Sequence, residues 1–225
     1  MADTIARGGR AIYGVSLGIL MLEARFPRIP GDMGNAETWP FPVQLCVVEG
    51  ATPERIVLGD PRDQLDRFIR AGRRLIELGV SAITTNCGFL ALLQPHLANA
   101  LGVPVATSSL MQALTPAHLA AVGAPADTPV AGTENGAEFF RVLIKADSDM
   151  MDIDLAEHDV VEAARTLVRQ NPDIGASILE CTNMPPYAAA VAAATGLPVY
   201  DIYSMVTWFV AGIRPRIFSH DYSRL

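Results

Sequence analysis

Short runs dense in β-branched and aliphatic residues alternate along the chain with longer stretches whose apolar positions recur at helical spacing. That alternation is the pattern of a parallel sheet covered by helices. Val15 to Leu22 is a near-continuous apolar run and predicts a buried strand, and Val43 to Glu49 predicts a second. Between them, Pro27 to Pro42 is rich in Pro and Gly and too long to be a mere connection, which marks it as a loop that carries function. Pro61-Arg62-Asp63 opens a helix whose residues Leu65, Phe68, Ile69, Leu75, Ile76 and Leu78 share one broad apolar face, and Gly79 ends it. A strand over Val80 to Thr85, a helix over Phe89 to Ala100 and a strand over Val103 to Ala106 follow.

The second half repeats this order at a fixed offset. Ala176, Cys181, Gly196, Pro198 and Val199 stand 94 residues after Ala82, Cys87, Gly102, Pro104 and Val105. Agreement of common residues is easy to obtain by chance, but here the rare residue Cys keeps its place in both copies. The expected fold is α/β, with two pseudo-symmetric halves over residues 1–107 and 108–225. Each half has a parallel sheet, the last helix can pack back onto the first half, and the active site lies in the cleft between them. The repeat is incomplete at one place. Ser108 to Thr115 holds no β-branched run to match the first strand, which predicts a missing element between about Gln112 and Pro116.

Composition narrows the chemistry. A chain of 225 residues with 50% hydrophobic and 18% charged residues can bury a substantial core. Its net charge of −7 and lack of any basic run argue against nucleic acid or an anionic membrane as partner. No stretch is long enough to span a bilayer. Lys145 is the single lysine and lies in a polar stretch, so pyridoxal Schiff-base chemistry has no good anchor. The three cysteines form no C-x-x-C pair and read neither as a disulfide framework nor as a zinc site, which predicts a reduced, cytoplasmic setting. His96, His118, His158 and His220 show no ligand spacing, so neither a metal nor a cofactor is expected.

Two stretches stand out, Thr84-Thr85-Asn86-Cys87-Gly88-Phe89-Leu90 and Leu179-Glu180-Cys181-Thr182-Asn183-Met184-Pro185-Pro186. Each sets a Cys where an extended run gives way to a helix. Free backbone N–H groups and the positive end of a helix dipole favour anions there, both a thiolate and a substrate carboxylate. Either Cys alone reads as a small buried hydrophobe; the pair at equivalent positions reads as functional. Cys46 has no repeat partner and reads as core. Thr85, Asn86, Gly88, Thr182 and Asn183 adjoin the thiols and are candidate substrate donors, although Thr182 suits a helix cap equally well. Thr52 and Thr133 end comparable strands and suit N-capping as well as the site. Arg25 and Arg28 lie in the long loop, where a guanidinium can fork onto a second carboxylate or stay solvated.

These residues resemble the aspartate/glutamate/hydantoin racemase superfamily, in particular its branch of aspartate/glutamate racemase family proteins. The resemblance runs from Gly18-Ile19-Leu20-Met21-Leu22 through Arg25-Phe26-Pro27-Arg28-Ile29-Pro30-Gly31-Asp32 and Trp39-Pro40-Phe41-Pro42 to both Cys motifs. It is looser to the glutamate racemases, whose first motif has Asn and Thr after the Cys; here Asn86 precedes it and Gly88-Phe89 follow. The resemblance implies a cofactor-independent isomerase, a homodimer that inverts the carbon next to a carboxylate with Cys87 and Cys181 as opposed acid and base. Inversion needs a base on one face of that carbon and an acid on the other, and two equivalent thiols suit it. Two other readings stay open: a decarboxylase or cis–trans isomerase that uses one thiol, and a non-catalytic protein that binds a small carboxylate.

Overall fold

The computed structural model describes residues 9, 12–14, 17–109, 127–145 and 148–213. Four parallel strands, β1 (Leu17–Leu22), β2 (Val43–Val48), β3 (Ala82–Thr85) and β4 (Val105–Ala106), form a sheet in the order β2-β1-β3-β4. β1 is buried along its whole length, as its unbroken apolar sequence requires of a strand covered on both faces. Its side chains divide by alternation. Leu20 and Leu22 join Phe68 and Leu75 of α2 (Leu65–Glu77) and Leu97 of α3 (Gln94–Leu101). Leu17, Ile19 and Met21 face Met33 and Trp39 on the opposite side. Gly18 allows α2 to lie close, since a Cβ there would stand 2.9 Å from Leu75 Cδ1.

The second unit holds two short parallel strands, β5 (Ser177–Ile178) and β6 (Val199–Tyr200). Around them lie α4 (Phe139–Leu143), α5 (Ile153–Gln170) and α6 (Ala188–Thr195), numbered after α1 (Pro53–Val57) and the helices above. Phe139, Val160, Leu179, Tyr187 and Val191 form their common core. The final helix, α7 (Ile202–Ile213), returns to the first sheet, where Ile202, Met205, Val206 and Val210 pack against Leu17, Ile19 and Ala82.

The offset of 94 holds at the level of hydrogen-bonded register. Ile83 pairs with Val105 and Thr84 with Ala106 in one sheet, and Ser177 pairs with Val199 and Ile178 with Tyr200 in the other. Both α3 and α6 end at a glycine in the left-handed region, Gly102 at φ 65° and Gly196 at φ 70°.

The helix expected over Phe89 to Ala100 is broken into a 3₁₀ turn, Gly88–Leu93, and α3. The cause is Pro95, which is tolerated in the first turn of a helix but not in its interior. The element expected to be missing between Gln112 and Pro116 lies outside the described residues. Among the described residues, no helix is long and apolar enough to cross a membrane.

Candidate functional site

β3 ends at Thr85, and the chain then turns through Asn86 and Cys87 into the 3₁₀ turn at Gly88. β5 ends at Ile178, and Leu179 to Asn183 make the matching turn ahead of Pro185–Tyr187 and α6. The two turns are joined directly. The Thr182 hydroxyl donates to the main-chain oxygen of Asn86 at 2.5 Å, and the Asn86 side-chain oxygen accepts from the N–H of Leu22 at 2.6 Å. The long loop clasps the second turn, because the Asn183 amide donates to Asp32 Oδ2 at 2.6 Å and Arg28 Nη1 donates to Asp32 Oδ1 at 2.9 Å. Gly31, at φ 98°, lies against Pro186, so that an added Cβ would be 3.1 Å from Pro186 Cα.

Cys87 and Cys181 line one cavity of about 440 Å³, within the range of small-ligand sites. Its walls are mainly apolar, including Phe26, Phe89, Phe139, Phe140, Val160 and Leu179. Burial, and then the charge of the neighbouring Glu180 carboxylate, push the Cys87 thiol up to about 12; N–H groups of Phe89 and Leu90 donate to its sulfur and pull the other way. The Cys181 thiol is pushed up by the same burial and the same carboxylate, and also by Cys87 and Asp32, against the N–H of Asn183. Each thiol thus stands in the field of the other's turn, which is the arrangement expected of a site shared between the halves.

Of the candidates read from the sequence, Asn86, Gly88, Thr133, Thr182 and Asn183 line this cavity with the two cysteines. Thr85 does not, and its hydroxyl is taken by the main-chain oxygen of Thr107 at 2.5 Å. Thr52 caps α1 by accepting from the N–H of Arg55 and does not line the cavity. Arg25 is exposed and is not a lining residue, whereas Arg28 lines the cavity. The difference follows from the fold of the loop, in which Arg28 is held over the Phe26 ring, 4.7 Å from its centroid, and against Asp32. Cys46 is half-buried in β2 and packs against the α2 side of the sheet.

No sequence pattern marks Glu180, which lines the same cavity. Burial raises its carboxyl to about 7, and its Oε1 is buried with no hydrogen-bond partner among the described residues. The carboxylate lies over Gly88 so closely that a Cβ on residue 88 would overlap it. No group of three or more His, Cys, Asp or Glu residues suited to a metal ion occurs among the described residues.

No family model matches the chain. It is 28% identical to a dimethylsulfoniopropionate lyase of Durusdinium sp. clade D over 240 residues, which cover 93% of this chain and 79% of that protein. It is 31% identical to dimethylsulfoniopropionate lyase 7 of Emiliania huxleyi (strain CCMP1516), over 88% of this chain and 67% of that one. Lyase 6 of the same strain is 33% identical over 83% of this chain, which spans 56% of that protein's length. In structure, unliganded arylmalonate decarboxylase shares the fold with a TM-score of 0.55 and 18% identity, covering 88% of this chain and 92% of that one. The relatives overturn the expectation of a racemase, and of an isomerase in general, since the proteins this chain matches in sequence are named as lyases. Of the readings the sequence left open, the one-thiol decarboxylase, itself a lyase, lies closer to these relatives than inversion does. The chain belongs to the dimethylsulfoniopropionate lyase family and shares the α/β fold of arylmalonate decarboxylase.

Proposed function

We propose that the chain is a lyase that cleaves a β-sulfonio carboxylate of the dimethylsulfoniopropionate type by elimination. The observation that carries the reading is the convergence of Cys87 and Cys181, from equivalent turns of the two halves, on one mainly apolar cavity in a chain of this family. The carbon next to a carboxylate bears an acidic proton, and the next carbon bears the sulfonium. A cysteine thiolate removes that proton. The C–H electron pair becomes the new carbon–carbon double bond, and the carbon–sulfur bond breaks with its pair going to sulfur. Dimethyl sulfide and acrylate leave, and the thiol returns its proton to solvent. The charges balance, because the sulfonium cation becomes a neutral sulfide and the carboxylate is carried through unchanged. Backbone N–H groups that open the two turns, those of Gly88 and Thr182, are the proposed carboxylate donors, with Asn86 beside them. The apolar walls keep water away from the thiolate and so strengthen it as a base.

The test is direct. The purified chain is incubated with dimethylsulfoniopropionate, and dimethyl sulfide is measured by headspace gas chromatography and acrylate by proton NMR. Stoichiometric release of both, lowered about 100-fold or more in at least one of Cys87→Ser and Cys181→Ser, is the expected result. No release by the wild-type chain, or wild-type rates in both variants, would overturn the reading.

A further inference from the structure

Three charged residues lie on the described walls of the cavity: Arg28, Glu134 and Glu180. The charge of Arg28 is matched by Asp32 at 2.9 Å, and Glu134 is exposed to solvent. Glu180 is different. It lies beside both thiols, its Oε1 is buried, and among the described residues that oxygen has no hydrogen-bond donor and the carboxylate no cationic partner. A carboxylate removed from water without a cation is costly to hold ionised, and a cation entering the cavity relieves that cost.

The surroundings decide which cation fits. A divalent metal ion demands several oxygen ligands, and a primary ammonium brings three N–H donors that need acceptors. Among the described residues no cluster of His, Cys, Asp or Glu suited to a metal ion is present, and Glu180 overlies Gly88 in a cavity whose walls are mainly apolar. A methylated onium centre demands neither. It has a permanent charge, no hydrogen to donate and an apolar surface suited to apolar and aromatic walls.

We propose that Glu180 is a specificity-determining residue that receives the onium charge of the substrate, with Gly88 left bare of a Cβ so that the carboxylate can lie where it does. The proposal rests on the lyase reading for the identity of that substrate. It also assigns Glu180 to binding rather than to bond-breaking. The cation is neutralised as the carbon–sulfur bond breaks, so its attraction to Glu180 is greatest before the reaction and fades through it. An interaction of that kind lowers KM without raising kcat.

The experiment compares two ligands that do not release dimethyl sulfide, the zwitterion 3-(trimethylammonio)propanoate and 4,4-dimethylpentanoate, its isostere without the onium charge, by titration calorimetry on the wild type and Glu180→Gln. The wild type is expected to prefer the onium ligand about tenfold or more, and Glu180→Gln to lose that preference while keeping its affinity for the isostere. Retained isostere binding shows that the variant is folded. With dimethylsulfoniopropionate, the variant should show a raised KM and an undiminished kcat. Equal binding of the two ligands by the wild type, or an unchanged preference in the variant, would overturn the inference. Dimethyl sulfide release is scored in parallel. Release by the wild type with an unchanged preference in Glu180→Gln sinks this inference and leaves the lyase standing. No release, with a preference that depends on Glu180, sinks the lyase and leaves the cation receptor.

Discussion

Thr182 donates its hydroxyl proton to the main-chain oxygen of Asn86, so the residue that follows one cysteine is bonded to the residue that precedes the other. The bond ties together two turns that belong to different halves. Both partners are buried. Thr182→Val keeps the shape and removes the donor, leaving a buried carbonyl unpaired. The expected cost is about 1–3 kcal/mol in chemical denaturation, with a fall in kcat for dimethylsulfoniopropionate larger than any change in KM.

The two cysteines are expected to be unequal. An elimination removes one proton and returns none to carbon, so one thiol is the base and the other tunes it. One of Cys87→Ser and Cys181→Ser should fall to background in a dimethyl sulfide assay while the other keeps measurable turnover. Cys46→Ser should leave kcat/KM unchanged and cost about 1 kcal/mol or less of stability, since that thiol is only half-buried in β2.

Much of this was legible in the sequence. Five residues at one offset anticipated the paired strands and the two left-handed glycines that end α3 and α6. Those features are set locally, by a β-branched run, a Cys turn and a Gly-x-Pro, and local signals survive in a linear reading. Glu180 was invisible for the opposite reason. A carboxylate at the end of a strand looks like any solvated charge until the fold lays it over Gly88, 92 residues away by subtraction of the two positions. Arg25 and Arg28 could not be ranked by spacing alone, because what separates them is a contact with Asp32 that depends on how the loop closes. The isomerase expectation failed at a different level. Two thiols in one cleft serve inversion and elimination alike, and the choice between them lies in the leaving group of the substrate, which the motif does not encode.

Burial lifts the Glu180 carboxyl from 4.5 to about 7, so the native state holds this proton more tightly than the unfolded chain does. The resulting stability is present in full below about pH 4.5 and is lost as pH rises to about 7, where the charge becomes a burden. Glu180→Gln removes that burden. Above pH 7 the variant should be the more stable by up to about 3 kcal/mol, and the gap should close toward pH 4. Denaturant midpoints of both proteins across that range provide the check; a gap that does not vary with pH would show that the carboxylate is not held as described.

Asp159 has the reverse sign. Burial opposes its ionisation, but N–H groups of Ala137, Glu138 and Phe139 all donate to its carboxylate, at 2.7 to 3.0 Å, and hold it below 3.8. Its contribution is therefore present above pH 4 and lost as acid reprotonates it. Asp159→Asn should cost about 1–3 kcal/mol at neutral pH, and the difference should shrink in acid, since the first turn of α4 would lose an anionic acceptor. Thermal melts at neutral and acid pH measure both parts.

The return of α7 to the first sheet governs the order in which the protein can be made. The apolar face formed by Leu17, Ile19 and Ala82 is synthesised early, yet the residues that cover it, Ile202 to Val210, follow only after the whole second unit. Until then the first sheet carries an open hydrophobic face and cannot finish folding on its own. A chain stopped short of α7 should therefore leave this face bare and be recognised by chaperones and proteases.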